Sequence, residues 1–229
     1  MTRNLDGEVV LVAGASGVLG SLLAKALHGL GANLLIAGRD VERLAAAAEA
    51  MTGAVPSRLD FREPETLDQT VDLAIEHFGR LDGVVNAAGV VAFGPLADMT
   101  REQLMEVMTV DLVGPLDLVR TALPHLDGGF IVNITGVVAE TPVGGMSTYS
   151  AAKAGLSAAS MALKRELRRR KVTVVDARPP HIETGLASRP VSGQAPEFPE
   201  GLMPAAAVGR IVEAIVAGES SLGSDAFVK

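Results

Sequence analysis

The 229-residue sequence predicts an α/β protein, a doubly wound parallel sheet with helices on both faces. Three observations carry that reading. Short β-branched runs alternate with longer Ala/Leu/Glu/Arg stretches at helical spacing, and six such alternations fill the chain as successive βαβ units would. The apolar runs are brief, as in Val9-Val10-Leu11-Val12-Ala13 and Phe130-Ile131-Val132, far short of the ~20 residues that span a bilayer. Cysteine is absent, which removes disulfide frameworks, thiol nucleophiles and cysteine metal sites, so the core must come from packing alone.

In order, a first strand at about 8–13 leads into a helix near 18–30, and a second at about 32–37 into a helix near 40–51 that Asp40 caps. A third strand, at about 55–59, precedes a helix near 64–79 with Pro64 in its first turn. The fourth, at about 82–86, is followed by a helix near 100–124, where Thr100 and Gln103 are spaced as a capping box. A fifth strand at about 129–134, the longest helix at about 148–170, a sixth strand at about 171–177 and a helix near 205–217 complete the alternation. Six of the twelve prolines fall within 179–204, which excludes regular helix or central strand there and marks about 185–204 as a lid. No repeat or linker divides the chain, so residues 1–229 read as one domain.

With 27 acidic residues against 20 Lys and Arg, the formal charge is −7, which argues against a nucleic-acid or anionic-membrane partner. Asp6 and Glu8 ahead of the first apolar run argue against a signal peptide, so a soluble cytoplasmic protein is expected. The four histidines are not paired as metal ligands, and no metal is expected; His181, in the Pro-rich stretch, is a candidate for substrate contact.

The first strand runs directly into Gly14-Ala15-Ser16-Gly17-Val18-Leu19-Gly20 and then a helix. Glycines at 14, 17 and 20 permit a tight turn, close approach of backbone to a pyrophosphate and close helix–strand packing, while the helix N-terminus offers unpaired N–H groups. This is the context of a Rossmann-like dinucleotide site; the competing reading is a βα turn with glycine caps. At the end of the second strand an acidic residue would accept bonds from a ribose 2′-hydroxyl. Gly38 occupies that slot and Arg39 follows, whose guanidinium matches a phosphate, so NADP(H) is the expected cofactor.

Tyr149 is the only tyrosine, and Lys153 lies one helical turn away on the same face. A phenol with a pKa near 10 is a poor acid/base at neutral pH, and a nearby ammonium stabilises its phenolate. With the glycine loop, Asp60-Phe61, Asn86-Ala87-Ala88-Gly89 and Ile131-Val132-Asn133-Ile134-Thr135, this pair makes residues from about 7 to 185 resemble the short-chain dehydrogenase/reductase family. The resemblance implies that Asp60 and Phe61 contact adenine, that Asn86 to Gly89 line the cofactor groove, and that Lys153 also holds the nicotinamide ribose. It further implies that Pro179, Ile182 and Thr184 cap the carboxamide, and that the chain forms a homodimer or homotetramer, in relatives commonly through the helix of Tyr149. Many relatives end in Asp-Gly-Gly, which this chain lacks, leaving a seventh strand near 222–228 open.

The family's middle glycine falls on Val18, with Gly17 one residue early, and its usual glycine after Pro179 is Pro180; two of the four expected catalytic positions are also changed. The substrate-orienting serine falls on Gly136, so Thr135, or Ser147 and Thr148, would have to supply its hydroxyl. The asparagine that supports the lysine falls on Asp111, whose carboxylate would raise the Lys153 pKa and offset its effect on Tyr149. The expected function is an NADP(H)-dependent oxidoreductase acting on a small carbonyl or alcohol substrate, with Tyr149, Lys153, Thr135 and Asp111 as catalytic candidates. The alternative is a non-catalytic NADP(H)-binding sensor or scaffold in which Gly136 and Asp111 mark lost chemistry.

Overall fold

A computed structural model describes residues 2–227. Among the described residues seven strands, β1 (Val9–Ala13), β2 (Asn33–Gly38), β3 (Val55–Arg58), β4 (Gly83–Asn86), β5 (Phe130–Ile134), β6 (Thr173–Ala177) and β7 (Ser221–Leu222), form one sheet. Their order is β3-β2-β1-β4-β5-β6-β7 and every pairing is parallel. Helices α1 (Val18–Gly29), α2 (Val41–Glu49), α3 (Glu65–Phe78), α4 (Arg101–Met108), α5 (Gly114–Ala122), α6 (Ser147–Glu166) and α7 (Pro204–Ala217) alternate with them.

The two-residue period of the strands builds a core on each face. Val10, Val12, Leu34, Ile36, Val132 and Val175 pack with Leu23 and Leu27 of α1 and Ile211 and Ile215 of α7. Val9, Leu11, Leu35, Val84, Ile131 and Val174 pack with Leu67 and Val71 of α3 and Leu118 and Val119 of α5. Each fully buried leucine or isoleucine stabilises the fold by roughly 1.5–3 kcal/mol relative to exposure. The strand order reverses between β1 and β4, and the carboxyl ends of those two strands are where a doubly wound sheet opens a crevice for a ligand.

The expected caps form: Asp40 accepts from the Arg43 N–H at 3.0 Å, and Thr100 and Gln103 make a reciprocal capping box. One expectation is corrected and two are filled in. The helix near 100–124 is not uniform, because Thr109–Val113 form a π-helical turn between α4 and α5. The seventh strand is only two residues long. Its ladder ends with the Arg178 N–H donating to the Leu222 carbonyl at 2.9 Å, since the next residues, Pro179 and Pro180, have no N–H, and the chain turns into a 3₁₀ segment at Ser224–Phe227. Position 228 lies outside the described residues. The Pro-rich segment lacks helix or strand, yet it is tied down: Val191 donates to the Val91 carbonyl at 2.8 Å, Phe93 to that of Ser192 at 2.9 Å, and Leu202 to that of His181 at 2.7 Å. Among the described residues, no helix is long and apolar enough to cross a membrane.

Candidate active site

The glycine loop joins the end of β1 to α1. A Cβ on Gly20 would lie 2.2 Å from the Gly14 carbonyl oxygen, and one on Gly14 would lie 2.5 Å from the Ala88 backbone nitrogen, so both positions demand glycine. The loop therefore packs directly on the turn that follows β4. The N-terminus of α1 has no side-chain cap and no acidic residue in its first turn, leaving its first N–H groups and dipole for an anion. That arrangement fits a pyrophosphate. Ser16 and Leu19 are half-buried and Val18 is exposed along this rim.

At the end of β2, a Cβ on Gly38 would come within 2.9 Å of the Ser16 hydroxyl, so an acidic side chain could enter there only by displacing Ser16. Arg39 is exposed, and its charge, with that of Arg62, acts on Asp60. Burial pushes the Asp60 carboxyl upward, but hydrogen bonds from the Arg62 N–H and guanidinium, at 3.1 and 2.8 Å, outweigh it and leave Asp60 below its usual range. Phe61 is buried with its ring against Gly114, so any contact with adenine must come from its backbone.

The chemical end is built from α6, the π-helical turn and the ends of β4 and β5. Tyr149 and Lys153 lie on one face of α6, with the Lys153 ammonium 5.7 Å from the Tyr149 ring centre. Lys153 is buried; it donates to the Ile134 carbonyl at 3.1 Å and lies 3.1 Å from Asp111 Oδ1, while Asp111 is fully buried and also accepts from the Val90 N–H at 3.3 Å. Gly89 borders the pair, since a Cβ there would meet Asp111 Oδ1 at 2.8 Å. Burial pushes the Asp111 carboxyl up, against the pull of Lys153. For Lys153, burial acts downward, but the charges of Asp111 and Tyr149 more than offset it and hold the ammonium above its ordinary value. Tyr149 is raised by burial; Lys153 lowers it and Asp111 raises it further. The carboxylate thus opposes the help that Lys153 gives the phenol.

Thr135 is corrected as a source of the missing hydroxyl. Its Oγ1 is buried and donates to Asp176 Oδ1 on β6 at 2.6 Å. Asp176 also accepts from the Ser157 hydroxyl on α6 at 2.6 Å and from the Arg178 guanidinium. Sequence reasoning missed this cluster, although Asp176 is an isolated acid in the apolar run Val174-Val175-Asp176-Ala177. Thr135→Val, which removes one donor from a buried carboxylate, is expected to cost about 1–3 kcal/mol in chemical denaturation. Gly136 has φ 80° and ψ 162°, a region that disfavours any side chain, so the vacancy left by the serine is a backbone feature and not a simple truncation.

Asn86 is also buried, and its amide donates to Asn133 Oδ1 on β5 at 2.8 Å; Ala87, Ala88 and Gly89 are half-buried beside it. Pro179 is buried with its carbonyl accepting from Val137 at 2.9 Å, Ile182 bridges to Leu202, and the Thr184 hydroxyl accepts from the Leu186 N–H at 3.4 Å. His181 stacks on Phe198, with ring centres 4.7 Å apart, and its Nε2 lies 3.5 Å from Glu183.

The comparisons with known proteins agree with this geometry. A family model described as short chain dehydrogenase matches residues 8–194. An uncharacterized oxidoreductase of Methylorubrum extorquens is 33% identical over 218 residues, covering 90% of this chain and 85% of that protein. A dehydrogenase/reductase from Sinorhizobium meliloti is 29% identical with a TM-score of 0.85, covering 97% of this chain and 96% of that one. A short chain dehydrogenase/reductase from Burkholderia phymatum, solved in complex with NAD, has a TM-score of 0.88 at 23% identity, covering 97% and 90%. With its glycine loop, Tyr149 and Lys153 set at the ends of a matching sheet, the chain belongs to the short-chain dehydrogenase/reductase family of oxidoreductases.

Proposed function

We propose that the protein is an NADP(H)-dependent oxidoreductase that interconverts a carbonyl and an alcohol, with Tyr149 as its acid/base. The observation that carries this reading is the placement of Tyr149 and Lys153 beside the Asn86–Gly89 turn, which itself packs on the glycine loop. Together they connect a phosphate-binding end to a proton-transfer end. When bound, NADP(H) supplies or takes up hydride at its nicotinamide.

The residues of this chain do the rest. Gly14 to Gly20 and the N-terminus of α1 receive the pyrophosphate, Asp60 and the Phe61 backbone meet the adenine, and Asn86 to Gly89 line the groove. Lys153 holds the ribose hydroxyls, while Pro179, Ile182 and Thr184 cap the carboxamide. Tyr149 gives a proton to the substrate oxygen in reduction and takes it in oxidation, and the stretch from about 185 to 204 covers the substrate as a lid on a one-domain protein. We further read the protein as cytoplasmic, acting on a small molecule and associating with copies of itself through α6. A purely cofactor-binding role is not favoured, because Tyr149 and Lys153 are both in place.

The choice of NADP(H) rests on Gly38, Ser16 and Arg39, where the strand end carries glycine in place of a carboxylate and a guanidinium follows. In titrations of protein fluorescence or by calorimetry, NADPH is expected to bind more tightly than NADH, by a margin that shrinks with salt. Arg39→Ala should narrow the ratio roughly tenfold, the order of one exposed charge-assisted contact. Equal affinities at low salt would contradict the assignment.

A further inference from the structure

The turn that follows β5 is fastened at both ends. Gly136 opens it with φ 80°, and Val138 within it packs in the apolar cluster around Tyr149. At the near end the Thr135 hydroxyl donates to Asp176 Oδ1 at 2.6 Å. At the far end Glu140 Oε1 accepts from Arg178 Nε at 2.5 Å, and Glu140 Oε2 accepts from the Ser224 N–H at 3.3 Å. Arg178 joins the two ends, because its Nη1 donates to Asp176 Oδ2 and its Nη2 to the Ser221 hydroxyl oxygen at 2.8 Å. Asp176 also accepts from the Ser157 hydroxyl at 2.6 Å, and Ser157 lies on α6 four residues beyond Lys153 and eight beyond Tyr149, on the same stripe of the helix. One charge network thus ties the turn on one side of Tyr149 to the helix that carries it.

Building on the proposed function, we infer that Arg178 and Glu140 are positioning residues for the reaction: their ion pair clamps the turn at 136–140 against α6 and keeps the Tyr149 phenol enclosed and oriented. They act through the turn and through Asp176, not on the reacting atoms. Backbone bonds from Gly136 to Ala177 and from Val137 to Pro179 fix the first half of the turn, and the Glu140 side chain fixes the second half to the ends of β6 and β7. A guanidinium suits this task, since its planar fork meets three acceptors at set angles where an ammonium is a single point charge. The Arg178 side chain is 14% exposed and that of Asp176 4%, so solvent screens their pairing little. Burial pushes the Glu140 carboxyl up, but Arg178 and Ser224 outweigh it and hold it below its ordinary value, so the clamp is charged at neutral pH.

The chain holds one tyrosine and no tryptophan, so the ultraviolet absorbance of phenolate reads Tyr149 alone. Burial holds that phenol above its ordinary value; Lys153, from its own helix, lowers it and Asp111, from the π-helical turn, raises it, and these are the charges that act on it. Glu140→Ala frees the far end of the turn and leaves Arg178 with Asp176 and Ser221. Water should then reach the phenol, and the Tyr149 titration of the intact protein, read at each pH while the fold persists, should move to lower pH. With NADPH, kcat for the fastest reduced of diacetyl, cyclohexanone and benzaldehyde should fall by on the order of 10- to 10²-fold, with NADPH affinity within about twofold of native. Glu140→Gln removes the charge but keeps an acceptor for Arg178; it should titrate as the native protein does and retain kcat within about fivefold.

A Tyr149 titration left unmoved by Glu140→Ala would overturn the inference, whatever happens to the melting temperature, because a purely structural tie does not set the acidity of the phenol. A titration moved equally by Glu140→Gln would overturn it as well, by showing that charge and not position acts on Tyr149. Should Glu140→Ala not fold, Arg178→Lys keeps a cation beside Asp176 and gives up the fork; the same downward movement is expected, and an unmoved titration there overturns the inference. Absence of turnover with all three compounds, in native protein that binds NADPH, would instead overturn the proposed oxidoreductase activity and the positioning role with it, whatever the titration shows.

Discussion

Tyr149→Phe is expected to lower turnover by about 10²–10⁴, the range attributed to one positioned acid/base, while NADPH affinity changes by less than about twofold. The substitution removes only the hydroxyl, and the ring stays packed against the apolar cluster of Val91, Phe93, Val138 and Met146. Fold and cofactor site should therefore be preserved, which near-native melting and an NADPH titration would check. Because the proton is transferred only in the transition state, kcat and kcat/KM should fall together and not through KM. Activity retained within tenfold would mean that the proton reaches the substrate by another route.

The second large effect concerns Asp111. Asp111→Ala would strand the Lys153 ammonium, which is only 7% exposed at its side chain, without its 3.1 Å partner. Breaking a buried ion pair from one side costs about 3–5 kcal/mol, which in a chain of this size lowers Tm by on the order of 10 °C. Asp111→Asn separates charge from contact, because an amide oxygen can still accept from Lys153. Burial holds the Tyr149 phenol high, Lys153 pulls it down, and the Asp111 carboxylate pushes it back up. Removing that negative charge should lower the Tyr149 pKa. The rising alkaline limb of alcohol oxidation, which needs phenolate, should move to lower pH; the falling limb of carbonyl reduction, which needs phenol, should move the same way. A pH profile unchanged by Asp111→Asn would show that Asp111 is not coupled to Tyr149.

Much of the architecture was legible because its signals are local. Glycines punctuate the end of β1, apolar runs mark the strands, and Asp40 and Thr100 mark helix starts through contacts three residues away. The seventh strand stayed open because its length is set by its neighbour: β6 runs into Pro179-Pro180 and can support no further ladder. The π-helical turn at Thr109–Val113 left no periodic trace, although it is what carries Asp111 to Lys153.

At the site, the pairing of Tyr149 with Lys153 was readable because four residues on a helix make one turn. The fate of Thr135 was not, since its acceptor Asp176 lies 41 residues onward and nothing in the local pattern tells which way a strand-end hydroxyl points. Nor could the sequence show that Gly136 adopts a positive φ, which turns the missing serine from a side-chain question into a backbone one. Phe61 illustrates the same limit: its position beside Asp60 was readable, whereas the burial of its ring against Gly114 depends on a helix far along the chain.

The central claim, hydride exchange with NADP(H) assisted by the Tyr149 proton, is tested most directly by following deuterium from NADPH deuterated at both C4 positions into a panel of small carbonyl compounds. Mass spectrometry of the product alcohol is expected to show deuterium on the carbinol carbon with the native protein and a rate of labelling lowered by about 10²–10⁴ with Tyr149→Phe. Tight binding of NADPH with no deuterium transferred to any carbonyl offered, or labelling by Tyr149→Phe at the native rate, would contradict the account.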